Sequence, residues 1–251
     1  MMQLDYPQTK NGMYELSRDQ MDDIATKILG KFAPDVLTYP QPVNIEHLAE
    51  ESFCLNVENK ILSIDNKVLG ATAFADDCIV IIDLLIGPIL TEINEGTVFI
   101  NQGLLGMSER ARRRFTLAHE VAHWVLHRSY HSPFNQRFHF RKEYQNFIAC
   151  RATRVECANH DRNTVYGLEE WQADSLAASL LMPIELFKEI ARIVFYEYFG
   201  SSIYSEIKYT HTLSEAIGKI AKVFMVSKKA TEIRLKHLGF IERTNSGSFA
   251  F

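Results

Sequence analysis

The residues in this chain whose types and spacing could do chemistry begin with His119-Glu120-Val121-Ala122-His123. They sit inside a run, 115–124, whose apolar residues recur at helical spacing. Positions i and i+4 share one face of a helix, about one turn apart, so His119 and His123 can turn both imidazoles toward a single Zn2+. Glu120 lies on the flank of that face. A carboxylate there can touch water at the metal without being a ligand itself. The competing reading is two helix-face histidines beside a surface Glu, and it leaves the spacing unexplained.

A catalytic zinc has three protein ligands and an open position. His127 is four residues beyond His123, but along one helix it lies about 12 Å from His119 at ~1.5 Å rise per residue, too far to share a metal. A carboxylate from the downstream helix, 168–182, is the better third ligand. Glu170 and Asp174 are spaced i, i+4 and share a face, with Ala173, Ala177 and Ala178 forming a small-residue stripe for close helix approach. Glu170 is the expected ligand. Asp174 would accept the second ring N–H of a ligating histidine and fix its tautomer. Glu169 points about 100° away and is the second choice.

The two stretches together resemble the ImmA/IrrE metallopeptidases, relatives of the gluzincins. The resemblance is carried by Phe115-Thr116-Leu117-Ala118-His119-Glu120-x-x-His123 and by Glu170-x-x-Ala173-Asp174-x-x-Ala177-Ala178-x-Leu180-Leu181-Met182-Pro183. It runs from about 42 to 241. It implies an α+β fold with a small sheet beside the zinc helix, with His119, His123 and Glu170 as zinc ligands and Glu120 as catalytic base. It also implies a substrate, a helix-turn-helix repressor whose cleavage derepresses mobile-element or stress genes. Two departures limit what carries over. The stretch 129–168 is longer than in simpler members, and the resemblance does not lead one to expect the sensor-like third domain of the radiation-response members.

The elements that must position these residues can be read along the chain. Residues 17–32 predict a helix with Ser17 as N-cap and a stripe of Met21, Ile24, Ala25, Ile28 and Leu29, stopped by the prolines of 39–43. Asn44 should cap a short second helix over 44–51, with His47 on the surface. Strands are expected over 53–57, 68–74, 78–83 and 97–101. The run 78–83 is apolar on both faces and reads as a central strand. The run 97–101 reads as an edge strand that could receive an extended substrate. Ser108 is the expected cap of the zinc helix, about 109–128. Its first turn, Arg110 to Arg114, is basic at the positive end of the helix dipole and reads as a solvated face or a contact for an acidic partner.

The stretch 129–168 breaks period but is rich in aromatics, and reads as a lid or substrate-contacting insertion. Cys150, Cys157, His160 and His139 could form a second zinc site, although the spacing fits no common finger pattern. His160 and Tyr166 are candidates for stabilising an oxyanion. Pro183 should open the next helix, 184–198. The expected domains are a metallopeptidase unit, 1–205, and a C-terminal helical segment, 206–251.

Within that segment, 220–235 resembles a helix-turn-helix, with Met225 where glycine is usual and with Thr231 and Arg234 at core positions. That register and a net charge of −4 argue against direct nucleic-acid binding. No run approaches the ~18 apolar residues of a membrane span. The start lacks a signal-peptide pattern, and four cysteines are no disulfide framework. The expectation is a cytoplasmic protein. The rival to an enzyme is a non-catalytic, zinc-containing regulator that binds the repressor or DNA.

Overall fold

The structure, a computed structural model, describes residues 4–9, 12–131, 147–151, 164–200 and 211–241. Helix α1 (Arg18–Phe32) opens on a capping box: the Ser17 hydroxyl accepts from Gln20 N–H while the Gln20 side chain accepts from Ser17 N–H. This pairs two amide donors that a helix start leaves orphaned. Met21, Ile24, Ala25, Ile28 and Leu29 are all buried, as the stripe predicts. The helix stops at Phe32, ahead of the expected breaker, because Pro34 follows Ala33 and holds it at φ −150°. Asn44 caps the short helix α2 (Ile45–His47), which runs on as a wider turn, Leu48–Ser52. His47 is exposed.

Four strands form the main sheet: β1 (Asn56–Lys60), β2 (Val68–Ala73), β5 (Thr97–Asn101) and β6 (Phe147–Arg151). Their order is β1-β5-β2-β6, with β1 and β5 parallel and the other pairs antiparallel. β1 begins three residues later than its apolar run, because Cys54 turns the chain at φ +55°. β5 has the expected bounds but the opposite place. Every residue of it is buried between β1 and β2, so it offers no edge to a substrate.

The run expected to be central also differs. Among the described residues, β3 (Asp77–Asp83) pairs with β4 (Gly87–Ile93) in a separate hairpin, tied to the chain before β2 by an Ile61–Ile82 bridge. Ile79 and Ile81 are buried while Val80 is 51% exposed, so one face of the run lies in solvent. β4 carries Pro88 near its start, a residue that reads against a strand in sequence but is tolerated on a hairpin with open edges.

The long helix α3 (Arg110–His131) follows a 3-10 turn, Met107–Glu109, that contains Ser108. Ser108 is therefore part of the lead-in rather than the cap. Of the 129–168 stretch, residues 129–131 complete α3, 147–151 form β6, and α4 (Val165–Leu181) takes the last four. Thr164 caps α4 by accepting from Gly167 N–H. Pro183 stands at the N-cap of α5 (Ile184–Phe199), one place before the position expected for it.

The chain closes with α6 (His211–Phe224) and α7 (Lys228–His237). Leu213, Ala216, Ile217, Phe224 and Leu235 from this pair join the same apolar cluster as α1, α3, α4 and α5. Met225, between the two helices, adopts φ +51°, the left-handed conformation glycine would supply. Thr231 and Arg234 are buried, as their register requires. Arg234 is neutralised there by Asp22 of α1, Nη1 to Oδ2 at 3.2 Å, and also donates to the Met182 carbonyl. The fold is mixed α+β, and none of the described helices is long and apolar enough to cross a membrane.

Candidate metal centre

α3 and α4 pack face to face, and β2 crosses α3 close by. The small side chains of Ala173 and Ala177, both fully buried, let α4 come near. His119, His123 and Glu170 meet at this contact, and one ligand atom from each lies within 4.8 Å of the others. His119 Nε2 and His123 Nε2 are 2.9 Å apart. Glu170 Oε2 is 3.5 Å from the first and Oε1 3.4 Å from the second. Ligand bonds of about 2.0–2.1 Å at tetrahedral angles put neighbouring donor atoms about 3.3 Å apart, so the residues fit a small divalent cation. The group could bind a metal ion.

The protonation states favour that. Burial pushes the His123 imidazole down to about 4, so the ring is neutral at neutral pH and offers a lone pair. Burial pushes the Glu170 carboxyl up, but the His119 and His123 rings outweigh it and hold the group below the usual carboxylate range. At 3.4–3.5 Å those contacts are long for hydrogen bonds, and Oε1 has no hydrogen-bond partner. A buried carboxylate oxygen with nothing to accept from is costly unless a cation completes it. Asp174 Oδ1 lies 2.9 Å from His119 Nδ1, the contact expected of it, and as an acceptor it holds the proton on Nδ1.

Glu120 is fully buried beside this group. Its Oε2 accepts from the Thr72 hydroxyl at 2.6 Å, and Oε1 is left without a partner. Burial pushes its carboxyl up to about 7, with His119 and the Thr72 hydrogen bond pulling the other way. A cation bound beside it would lower that value. The room for Oε1 comes from Gly70 of β2. A Cβ there would stand 2.4 Å from Oε1 and 2.9 Å from the Thr116 methyl group. A glycine in a strand marks this kind of close approach.

Glu169, the second-choice ligand, is engaged elsewhere: Oε1 lies 2.6 Å from His131 Nε2. The two neighbouring carboxylates therefore face different partners around α4. His127 is no ligand either, but it is fully buried against His123, Nδ1 to Nδ1 at 3.0 Å, and its Nε2 meets Gln172 Oε1 at 2.9 Å. Burial lowers its imidazole to about 3. Helical spacing separates His127 from the ligands but does not reveal its contacts, nor the parts played by Gln172, Thr72 and Gly70. One signal was there: His119, His123, His127 and His131 follow one another at four-residue steps, a histidine face facing one helix.

Tyr166, a candidate oxyanion donor, is 49% exposed in the first turn of α4. Cys157, His160 and His139 lie outside the described residues, as do the side-chain contacts of Cys150, so the second zinc site does too. No family model and no curated protein sequence matches the chain.

Proposed function

We propose that this protein is a zinc-dependent endopeptidase of the ImmA/IrrE, gluzincin-like kind, acting in the cytoplasm on a helix-turn-helix repressor. The observation that carries the reading is Glu120. A site that used metal only to hold two helices together would not need a buried carboxylate on the next residue, with one oxygen packed against Gly70 of β2 and left without a hydrogen-bond partner.

His119, His123 and Glu170 would hold the ion, which would lower the pKa of water toward about 7 and polarise a substrate carbonyl. Thr72 fixes Glu120 by donating to Oε2, leaving Oε1 as the atom that takes a proton from the attacking water. Glu120 returns that proton to the leaving nitrogen. Burial raises this carboxyl and a bound cation would lower it again, and between the two Glu120 can take up and release a proton. Asp174 keeps His119 in the tautomer whose Nε2 faces the cluster. The choice of repressor rests on the motif resemblance alone.

The test is to incubate the purified protein, zinc-loaded, with a small helix-turn-helix repressor encoded beside it, and to identify fragments by mass spectrometry. Wild type should cut at one or two sites, and Glu120→Gln should bind the repressor without cutting it. Equal fragmentation by Glu120→Gln would mean a contaminating protease and would remove the enzyme reading. Binding without cleavage by both proteins would favour a zinc-containing regulator.

A further inference from the structure

Two histidines that share a metal must each carry a proton on the far ring nitrogen and a lone pair on the near one. The devices that enforce this differ at His119 and His123. At His119 a carboxylate, Asp174, can only accept, so Nδ1 must donate. At His123 the neighbour is another imidazole, His127, which can donate or accept. The ambiguity is removed two residues further on.

The Gln172 side chain is fully buried, and its Nε2 donates to the Tyr14 backbone carbonyl at 2.6 Å. A backbone carbonyl only accepts, so the amide nitrogen must face Tyr14 and the amide oxygen must face His127. That oxygen, 2.9 Å from His127 Nε2, requires Nε2 to donate. A neutral His127 then has only a lone pair on Nδ1, which accepts from His123 Nδ1–H at 3.0 Å. His123 Nε2 is left with its lone pair, on the side of His119 and Glu170.

We infer that Gln172 and His127 are positioning residues for the metal, a directional chain from the Tyr14 carbonyl that fixes His123 in its ligating tautomer. The chain joins three elements: the segment before α1, α3 and α4. It gives a role to His127 and Gln172, two fully buried polar groups where α3 meets α4. The inference rests on the metal centre of the proposed function and not on the reaction performed there.

Two measurements test it. In zinc-loaded wild type, long-range proton–nitrogen correlation of the histidine rings should find His127 protonated on Nε2 and bare on Nδ1, and His123 protonated on Nδ1. A His127 proton on Nδ1 would overturn the proposal, and this measurement needs no substitution. Zinc affinity, read by competition with a chromophoric chelator, should fall about 10- to 100-fold in His127→Leu and in Gln172→Leu, the range seen when a partner of a metal-bound histidine is removed.

His127→Gln presents an acceptor and a donor at similar spacing, and should bind zinc nearly as wild type does. The His127→Leu, Gln172→Leu double variant should be no worse than either single one, since one chain is broken once. Wild-type affinity in folded His127→Leu and Gln172→Leu proteins would sink the chain while leaving the metal centre intact. A wild type that binds zinc by this tautomer but cuts nothing would sink the peptidase reading and leave the chain standing.

Discussion

Two buried polar arrangements in this molecule make opposite use of charge. Where α7 meets α1, a guanidinium faces a carboxylate: Arg234 and Asp22 neutralise one another, and both oxygens of Asp22 are engaged. Where α3 meets α4, three electron-pair donors converge instead. His119 Nε2, His123 Nε2 and Glu170 turn toward the same point, and Glu170 Oε1 has no hydrogen-bond partner. In the first arrangement charge is balanced by a partner from the chain itself, although Arg234 Nε makes no hydrogen bond. The second could bind an added positive ion, and surrounding contacts frame it: Asp174 on one ring, His127 on the other, Thr72 on Glu120. Buried charge is retained in one place for the fold and in the other for what it can bind.

The comparison breaks most sharply under metal-ligand substitution. His123→Ala or Glu170→Ala should lower bound zinc, measured by atomic absorption, from one per chain to well below it. In the metal-free state His123→Ala should also lower the thermal midpoint, because it opens a buried cavity and leaves His127 Nδ1 without its donor. Stripping zinc from wild type with a chelator should cost about 4 kcal/mol of stability for free zinc at about a thousand times Kd, by mass action alone.

The opposite result is expected at the other pair. Arg234→Met leaves Asp22 buried without its counter-charge and should cost about 3–5 kcal/mol in urea unfolding. Zinc affinity should be unchanged. Adding Asp22→Leu should recover most of the loss. If Arg234→Met instead lowered zinc affinity in the folded protein, the two arrangements would be coupled and the contrast between them would fail.

Gly70→Ala sharpens the comparison at smaller scale. Its Cβ would press on Glu120 Oε1 and the Thr116 methyl, with an overpacking cost of about 1–3 kcal/mol. Zinc content should stay at one per chain while turnover falls, because the displaced group is Glu120 and not a ligand. Retained turnover would show that Oε1 does not need the space beside β2. The smallest effect belongs to Met225→Gly: relief of the left-handed backbone at φ +51° should raise stability by up to about 1 kcal/mol, with zinc binding untouched.

Much of the metal centre was legible in sequence because its spacing is a helical property. An i, i+4 pair on a periodic helix puts His119 and His123 on one face whatever surrounds it, and Glu170 with Asp174 obeys the same rule. Helix α1 was legible for the same reason, since its cap and stripe are local. The sheet was not. The strand 78–83 reads apolar on both faces, yet whether both faces are covered depends on what packs there, and one face of β3 lies open. β5 had the right bounds and the wrong neighbours, because strand order is set by contacts far apart in the chain and leaves no mark in a five-residue run.

The chain by itself therefore determined which residues share a helix face: the histidines, the paired acids of α4, and the core stripe of α1. Tertiary structure decided which of two adjacent carboxylates joins the cluster. Glu170 turns to His119 and His123, while Glu169 turns to His131, and only the rotation of α4 against α3 separates them. It also decided that β2 passes over Glu120 at a glycine, and that the Tyr14 carbonyl, 158 residues away from Gln172, sets the direction of hydrogen bonds to His123. Periodicity is local geometry and is written in spacing. Hydrogen-bond direction and close approach depend on which distant groups the folded chain brings within 3 Å.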